Sequence, residues 1–251
     1  MLTILYRDDY LVSVAKPPGL LVHRTGLDAG ETRFALQLLR DQIGRQVWPV
    51  HRLDKGTSGV LLFALDAATA RALGLAFERG EAMRKTYRAV VRGWPDAAGT
   101  IAHPLKRMPD DMRSEREEVQ DALTHYRTLE RYELPLAQGQ FASTRCALVE
   151  LQPVTGRRHQ LRRHMKHIAH PIIGDATHGK GPLNRAVAER LGLQRLWLHA
   201  GRLELAHPVT GQPLVIEAGL DEEWARWALA ADAWSDSGQA CAGDPRPSAT
   251  P

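Results

Sequence analysis

The alternation of apolar and polar positions along the chain predicts many short strands and few helices. Apolar residues at 34, 35, 38, 39 and 43 recur at helical spacing and predict a helix over residues 31–43. Asp66 is a residue type that caps helices, which predicts a second helix from Ala67 to Arg79 that stops at Gly80. Period-two alternation and short apolar runs predict strands at residues 2–6, 11–15, 60–65, 85–91, 123–132, 144–151, 196–205 and 214–217.

These elements predict an α+β fold. The strands outnumber the helices and do not alternate regularly with them, so a mixed, mostly antiparallel sheet with flanking helices is favoured over a doubly wound parallel sheet. We expect one catalytic domain over residues 1–234. Residues 235–251 are rich in Ser, Gly, Ala and Pro without periodicity, which predicts a disordered tail. Ten of the sixteen residues from 106 to 121 are charged, with both signs mixed, and predict a solvated loop.

Composition limits the classes of protein that fit this chain. With 251 residues, of which 43% are hydrophobic and 25% charged, it has the make-up of a soluble globular protein. Two cysteines exclude a disulfide framework and a cysteine-based metal site, and they fit a reducing cytosol. No apolar stretch approaches the roughly 18 residues of a membrane span, and the first residues carry charges where a signal peptide needs an apolar run. We therefore expect a cytoplasmic protein outside the membrane.

The run from Pro49 to Leu62 presents one acid at the start of a strand. Asp54 lies between the bases Arg52 and Lys55, on a turn rich in Gly, Thr and Ser, directly before an apolar strand. Opposite charges nearby favour the ionised carboxylate. An Asp in a turn is more often a cap or a surface ion pair than a catalyst, so this pattern alone only nominates Asp54.

A basic helix is predicted over residues 156–168. Its apolar positions share one face by i, i+4, i+7 spacing and predict packing on the core: Leu161, Met165 and Ile168. Arg158, Arg162 and Lys166 lie four apart and predict a cationic ridge, in which each like-charge pair costs about 0.2–0.5 kcal/mol. No Asp or Glu occurs between residues 150 and 175. The ridge is therefore a solvated basic face, or it meets an anion from elsewhere, either a phosphate backbone or a carboxylate that the fold brings in.

Two further patterns are a group of histidines near the basic helix and a tyrosine among basic residues. The histidines at 159, 164, 167 and 170 do not share one helical face and have no carboxylate partner nearby in sequence, so we expect no metal site. Tyr87 lies in a predicted strand between bases on both sides, Arg84, Lys85 and Arg88. A Tyr in a strand is usually a core residue, but among cations it could instead stack on a nucleobase.

Several motifs occur together in one order: Lys16-Pro17-x-Gly19, the run 51–62, Lys85-Thr86-Tyr87, the run 155–162 and Leu198-His199-Ala200. In this the chain resembles the pseudouridine synthases of the ribosomal large-subunit type, from residue 2 to about residue 227. Within that family it is most similar to a member that acts on tRNA and lacks the N-terminal S4-type RNA-binding domain. That similarity extends to residues 41–44 and 192–196.

The resemblance implies a role for each matching residue. It makes Asp54 the catalytic aspartate, Tyr87 the active-site tyrosine and Arg162 the basic residue that pairs with Asp54. It also implies RNA contacts for the basic and polar residues of the same motifs: His51, Arg52, Lys85, Arg157, Arg158, His159, Gln160 and Lys166.

The implied reaction is isomerisation of one uridine of tRNA to pseudouridine, at uridine 65 in the T stem, by base flipping. The same reaction on 23S ribosomal RNA is the first alternative, and a non-catalytic RNA-binding protein is the second. A glycoside hydrolase is disfavoured because a pair of carboxylates is not evident. We expect RNA as the partner, no obligate protein partner, no metal and no cofactor, since the isomerisation conserves all atoms.

Overall fold

The computed structural model describes residues 1–24, 30–79, 83–108 and 118–239. The strands within these ranges are β1 (Thr3–Arg7), β2 (Leu11–Lys16), β3 (Trp48–Pro49), β4 (Ser58–Ala64), β5 (Arg84–Arg92), β6 (Ala98–Ala102), β7 (Leu105–Lys106), β8 (Val119–Gln120), β9 (Leu123–Leu134), β10 (Thr144–Pro153), β11 (Leu198–Ala206) and β12 (Pro213–Glu217). The helices are α1 (Ala35–Ile43), α2 (Ala67–Arg79), α3 (Gln160–His167), α4 (Gly181–Leu191) and α5 (Glu222–Gln239).

Ten of these strands form one mixed sheet. Its order is β1-β2-β4-β11-β5-β10-β9-β6, with β12 paired to β11 and β3 paired to β4. Among the described pairings, β4 with β11 is parallel and the others are antiparallel. The predicted α+β fold around a mixed, mostly antiparallel sheet is confirmed.

Strand β4 shows why its sequence is a continuous apolar run. Alternate residues of a strand point to opposite faces, and both faces of β4 are covered. Leu61 and Phe63 pack with α1 residues such as Leu39. Val60 and Leu62 pack in a different cluster with Leu73 of α2. The strand that follows Asp54 is therefore a rigid platform in the middle of the domain.

The helices differ from the prediction at their ends. The helix predicted over residues 31–43 begins only at Ala35, because Phe34 is extended (φ −135°) and forms a parallel bridge with Leu21. Helix α2 has the predicted bounds, and the Asp66 carboxylate caps it by accepting the N–H of Thr69 at 2.8 Å. Helices α4 and α5 and the strand β6 were not predicted.

Two predictions about irregular segments need correction. Helix α5 runs to Gln239, so the first five residues of the predicted disordered tail are helical. Once a helix is nucleated, adding residues costs little. Residues 240–251 lie outside the described residues. The predicted solvated loop over residues 106–121 is ordered at both ends, where β7 and β8 pair as a small arm. Its centre, residues 109–117, is not described.

Helix α3 docks on the sheet as its apolar face predicts. Leu161 and Met165 are buried against residues of β10, Val149 and Leu151. Each buried aliphatic side chain of this kind contributes about 1.5–3 kcal/mol. Among the described residues, no helix has the length and apolar character required to cross a membrane.

Candidate active site

The loop that carries Asp54, residues 50–57 between β3 and β4, is called the Asp54 loop below. Its turn is closed by the Thr57 N–H, which donates to the Asp54 carbonyl at 3.0 Å. The Lys55 carbonyl accepts two hydrogen bonds, from the Gly19 N–H at 2.8 Å and from Lys16 Nζ at 3.1 Å. The Lys16-Pro17-x-Gly19 motif, which begins at the end of β2, therefore holds the backbone of Lys55, immediately next to Asp54, by two hydrogen bonds.

Lys16 is buried (1% exposed) although it carries an amine. Its Nζ donates to the carbonyls of Pro17 and Leu20 as well as to that of Lys55. Burial lowers the pKa of Lys16 to about 7, and the charge of Asp54 opposes that shift. Lys16 thus joins the backbone of residues 17–20 to that of the Asp54 loop at Lys55.

The end of the Asp54 loop is fixed by the parallel contact of β4 with β11. Ser58 Oγ accepts a hydrogen bond from Arg195 Nη2 at 2.8 Å and is hydrogen-bonded to His199 Nδ1 at 2.9 Å. Gly59 adopts φ +113° and lies so close to Ala200 that a Cβ would stand 2.7 Å from the carbonyl carbon and the amide nitrogen of that residue. Only glycine allows this approach without strain.

Arg162 reaches Asp54 from helix α3. Its Nη1 donates to Asp54 Oδ2 at 3.0 Å, and its Nε and Nη2 donate to Asp175 at 2.7 and 2.8 Å. Arg162 is 8% exposed and Asp175 is 1% exposed. Burial opposes the charge of Arg162, but the hydrogen bonds and charges of Asp175 and Asp54 raise its pKa above the ordinary value. Arg162 is a permanent cation held between two carboxylates.

This arrangement corrects the predicted cationic ridge. Helix α3 begins at Gln160, after His159 in a left-handed conformation, so Arg158 precedes the helix and is not aligned with Arg162. Arg162 points into the protein, and Lys166 is exposed. The anion that the sequence lacked is supplied by the fold, as the carboxylates of Asp54 and Asp175.

His159 is the second group beside Asp54. Its φ of +54° is rare for a residue with a side chain. The His159 Nε2 atom lies 3.9 Å from Asp54 Oδ1, and its Nδ1 lies 3.1 Å from His178 Nε2. Burial lowers the pKa of His159 to about 4, against the opposing charge of Asp54 and with the help of Arg162. His159 is therefore a neutral imidazole at neutral pH.

Tyr87 lies on β5 and lines the same cavity as Asp54. Burial raises the pKa of its phenol, and the charge of Asp54 raises it further. Tyr87 is consequently a neutral phenol at neutral pH, which favours packing and hydrogen bonding over proton removal by a phenolate.

A cavity of about 650 Å³ contains these groups. Asp54, Tyr87 and Arg162 line it, and so do seven of the eight residues predicted to contact RNA: His51, Arg52, Lys85, Arg157, Arg158, His159 and Gln160. Lys166 does not line it. The arm adds Lys106 and Arg107, and α3 adds Arg163, so eight Lys and Arg side chains surround the cavity. Asp54 is the one acid among its described lining residues, and such a cavity attracts a polyanion.

Two of the predicted RNA contacts have structural duties. His51 Nε2 accepts the Leu62 N–H at 3.1 Å, and burial, aided by the charge of Lys85, lowers the pKa of His51 to about 3. Gln160 is 4% exposed. Its amide oxygen accepts hydrogen bonds from Thr155 Oγ1 and the Arg157 N–H, and its Nε2 donates to the Leu123 carbonyl and to Thr124 Oγ1. The side chain of Gln160 is therefore hydrogen-bonded within the protein, and an RNA contact for this residue stays a prediction.

Sequence reasoning missed Asp175 and the duty of Lys16. Lys16 was part of a motif but carried no assigned role. Asp175 is the first acid after the basic helix, so the unrelieved charge of that helix was the signal that could have identified it. Among the described residues, no group of three or more His, Cys, Asp or Glu is arranged to hold a metal ion.

One carboxylate, held by an arginine in a cavity that eight Lys and Arg side chains line, is an arrangement that fits an enzyme acting on a polyanion. A family model described as RNA pseudouridylate synthase matches residues 10–167. The chain belongs to this family and is an RNA pseudouridine synthase, as its motifs predicted.

Relatives and solved structures agree with this assignment. The chain is 52% identical to a tRNA pseudouridine synthase C of Vibrio cholerae over 94% of this chain and 98% of the relative. It is 50% identical to the protein of the same name from Yersinia pestis, over 89% and 88% of the two chains. Human RNA Pseudouridylate Synthase Domain Containing 4 superposes with a TM-score of 0.67 at 28% identity, covering 92% of this chain and 93% of that one. Human RNA Pseudouridylate Synthase Domain Containing 1 gives a TM-score of 0.68 at 26% identity, covering 99% and 97%.

Proposed function

We propose that this protein converts one uridine of a tRNA to pseudouridine, and that the target is uridine 65 in the T stem. The relatives of Vibrio cholerae and Yersinia pestis, which it matches along most of its length, are named for action on tRNA. The observation that carries the proposal is the Asp54 carboxylate, held by Arg162 at 3.0 Å in a cavity that eight Lys and Arg side chains line.

The reaction breaks the N1–C1′ bond of uridine and forms a C5–C1′ bond. C5 loses a proton and N1 gains one, so atoms and electrons balance without a redox cofactor or a group donor. The site must therefore weaken one glycosidic bond, hold the freed base while it turns, and accept a proton. A carboxylate can start this sequence in two ways, by attack on C1′ or by removal of the 2′ proton.

Asp54 suits either route because one of its oxygens is available. Its Oδ2 accepts the hydrogen bond from Arg162, whereas its Oδ1 accepts none from the residues that the structure describes. The hydrogen bond from Arg162 orients Asp54. In the attack route, Asp54 Oδ1 forms an ester with C1′ that C5 then displaces. In the proton route, it takes the 2′ proton and returns it after the base has turned.

Tyr87 and the cations act on the rest of the nucleotide. The ring of Tyr87, which lines the cavity, stacks on the extruded base, and its neutral hydroxyl hydrogen-bonds to that base. A uridine in a stem must leave the base stack to reach Asp54, at a cost of a few kcal/mol. Arg52, Lys85 and Arg158 offset part of that cost by binding the phosphates next to the extruded nucleotide.

Site-resolved pseudouridine mapping on RNA from cells with and without the protein tests the substrate. We expect loss of pseudouridine at one tRNA position, uridine 65. Loss in 23S ribosomal RNA instead would keep the reaction and replace the substrate. Loss at neither RNA would refute the proposal and favour an RNA-binding protein without this activity.

The Asp54→Asn variant tests the chemistry. It removes the negative charge but keeps the size of the side chain, so activity should disappear while RNA binding persists or tightens. Asp9→Asn, the same change at an exposed turn away from the cavity, is the matched control and should keep full activity. Pseudouridine formation by the Asp54→Asn variant would show that Asp54 is not the reacting group.

A further inference from the structure

Arg162 is shared between two carboxylates that receive different parts of its guanidinium group. Nε and Nη2 donate to Asp175 Oδ2 and Oδ1 at 2.7 and 2.8 Å, so Asp175 occupies a two-pronged edge. Only Nη1 donates to Asp54, at 3.0 Å. The adjoining Nη1/Nη2 edge of a guanidinium group can also bind a carboxylate bidentately. In the orientation that Asp175 holds, however, Asp54 receives a hydrogen bond from Nη1 alone.

The one-pronged contact matters for the reaction. A bidentate pair would hydrogen-bond both oxygens of Asp54 and direct them toward α3. The observed pair uses Oδ2, while Oδ1 lies 3.9 Å from His159 Nε2, beyond hydrogen-bonding distance. Arg162 thus orients Asp54 without covering the oxygen that would meet the ribose.

Asp175 is itself held rigidly. Its Oδ1 accepts the N–H groups of Thr177 and His178 at 2.9 and 2.8 Å. Asn184 of α4 brackets the same turn, since its Nδ2 donates to the Asp175 carbonyl and its Oδ1 accepts the Gly174 N–H, both at 2.9 Å. The Asp175 carboxylate is therefore held in place by contacts that do not involve Arg162.

We propose that Asp175 is a positioning residue of the pseudouridylation reaction. It binds the Nε/Nη2 edge of Arg162 and so fixes the orientation in which Nη1 alone donates to Asp54, which leaves Asp54 Oδ1 available to the ribose. This inference rests on the proposed function of Asp54 as the reacting carboxylate. Asp175 does not line the cavity, so its effect passes through Arg162.

The Asp175→Asn variant tests the inference. An Asn can still accept the two backbone N–H groups, but it lacks the charge and the second acceptor oxygen that bind Arg162. We expect the single-turnover rate of pseudouridine formation in a tRNA transcript to fall about 10- to 100-fold, the usual cost of removing a partner behind a reactive group. RNA affinity should stay within about threefold of wild type, because binding and the chemical step are separable.

Asp8→Asn is the matched control. Asp8 Oδ1 accepts the N–H groups two and three residues ahead, at 2.8 and 2.7 Å, as Asp175 does, but its Oδ2 meets Tyr6 and His207 instead of an arginine. The control variant should lose thermal stability with little change in rate. A rate loss as large as that of Asp175→Asn would assign the effect to the turn and overturn the inference.

A double-mutant cycle with Arg162→Lys separates positioning from a structural role. A lysine keeps the charge but has no two-pronged edge. In that background we expect Asp175→Asn to slow the reaction less than about threefold, since the interaction it removes is already gone. The inference is overturned if Asp175→Asn slows the reaction by the same factor in the wild-type and Arg162→Lys backgrounds. It is also overturned if Asp175→Asn alone reacts at the wild-type rate. If thermal unfolding shows that Asp175→Asn does not fold, Asp175→Glu enters the same cycle under the same criteria.

The wild-type enzyme distinguishes the two proposals. Absence of pseudouridine after incubation of the transcript with wild-type protein refutes the proposed tRNA activity, and with it the role of Asp175. An active wild type together with an equally fast Asp175→Asn variant refutes only the positioning role.

Discussion

Gly59→Ala is the perturbation whose cost the structure specifies best. Gly59 has φ +113°, outside the regions open to residues with a side chain, and such strain costs about 1–3 kcal/mol. The new Cβ would stand 2.7 Å from the carbonyl carbon and the amide nitrogen of Ala200, and closer still to its carbonyl oxygen. Overpacking of this kind adds about 1–3 kcal/mol. The backbone atoms of Ala200 can yield only if β11 moves away from β4.

We therefore expect Gly59→Ala to lower the free energy of unfolding by about 4 kcal/mol. For a domain of this size that corresponds to a fall in Tm of roughly 8–16 °C. Because β4 begins directly after the Asp54 loop, the rate of pseudouridine formation should fall at temperatures where the variant is still folded. Urea unfolding followed by circular dichroism, with a single-turnover assay alongside, measures both effects.

Gly44→Ala is the control for backbone strain. Gly44 has φ +70° at the end of α1, and an added Cβ would meet nothing within 4 Å. It should lose only the roughly 1–2 kcal/mol of a left-handed conformation, without an effect on the rate. If Gly59→Ala is no less stable than Gly44→Ala, the close approach of β4 and β11 does not constrain the site as argued.

Three further predictions concern charge. Arg195→Met should lower the free energy of unfolding by about 3 kcal/mol in urea titrations, because the buried Arg195 bridges Asp221 and Glu223. Arg40→Met, the same change at an exposed ion pair, should cost less than about 1 kcal/mol, and equal losses for the two variants would contradict the prediction. Stability should fall as pH drops from about 6.5 toward 4, since the pKa of His159, about 4, and that of His51, about 3, lie below the unfolded value, so that the unfolded chain binds more protons. Urea midpoints at several pH values should change less steeply in His159→Gln, and an unchanged slope would argue against a neutral His159. Lys166→Ala should reduce the salt dependence of RNA binding by about one unit of slope without changing the rate of chemistry, and an unchanged slope would exclude Lys166 from the RNA contact.

The secondary structure was predictable where the alternation of apolar residues or a capping residue in the sequence by itself sets the bounds of an element. Alternation over residues 85–91 placed β5 within one residue of its bounds, and the capping residue Asp66 fixed the start of α2. Helix α4 carried readable signals, a proline in its first turn and Gly192 after its end, that were not used. The extended conformation of Phe34 was not predicted, because its bridge to Leu21 is a tertiary contact that the spacing of apolar residues does not indicate.

The central contact of the candidate site was predictable, and the residues that support it were not. The motifs nominated Asp54 and Arg162, and the structure finds the pair in contact. The duties of Lys16 and Asp175 arise from hydrogen bonds to backbone and side chains that are distant or inconspicuous in sequence. For Gln160, the motif does not say whether the residue serves the substrate or the fold, and the structure shows that its side chain is hydrogen-bonded within the protein.

The pairing of β4 with β11 also sets an order of events during translation. Asp54 leaves the ribosome 108 residues before Arg162, and Ser58 leaves it 141 residues before His199. A nascent chain that already carries Asp54, Tyr87 and Arg162 still lacks the strand against which the Asp54 loop is fixed. The support of the Asp54 loop is thus complete only when β11 has been synthesised. A chain cut short before residue 198 contains Asp54, Tyr87 and Arg162 but lacks the strand that fixes this loop.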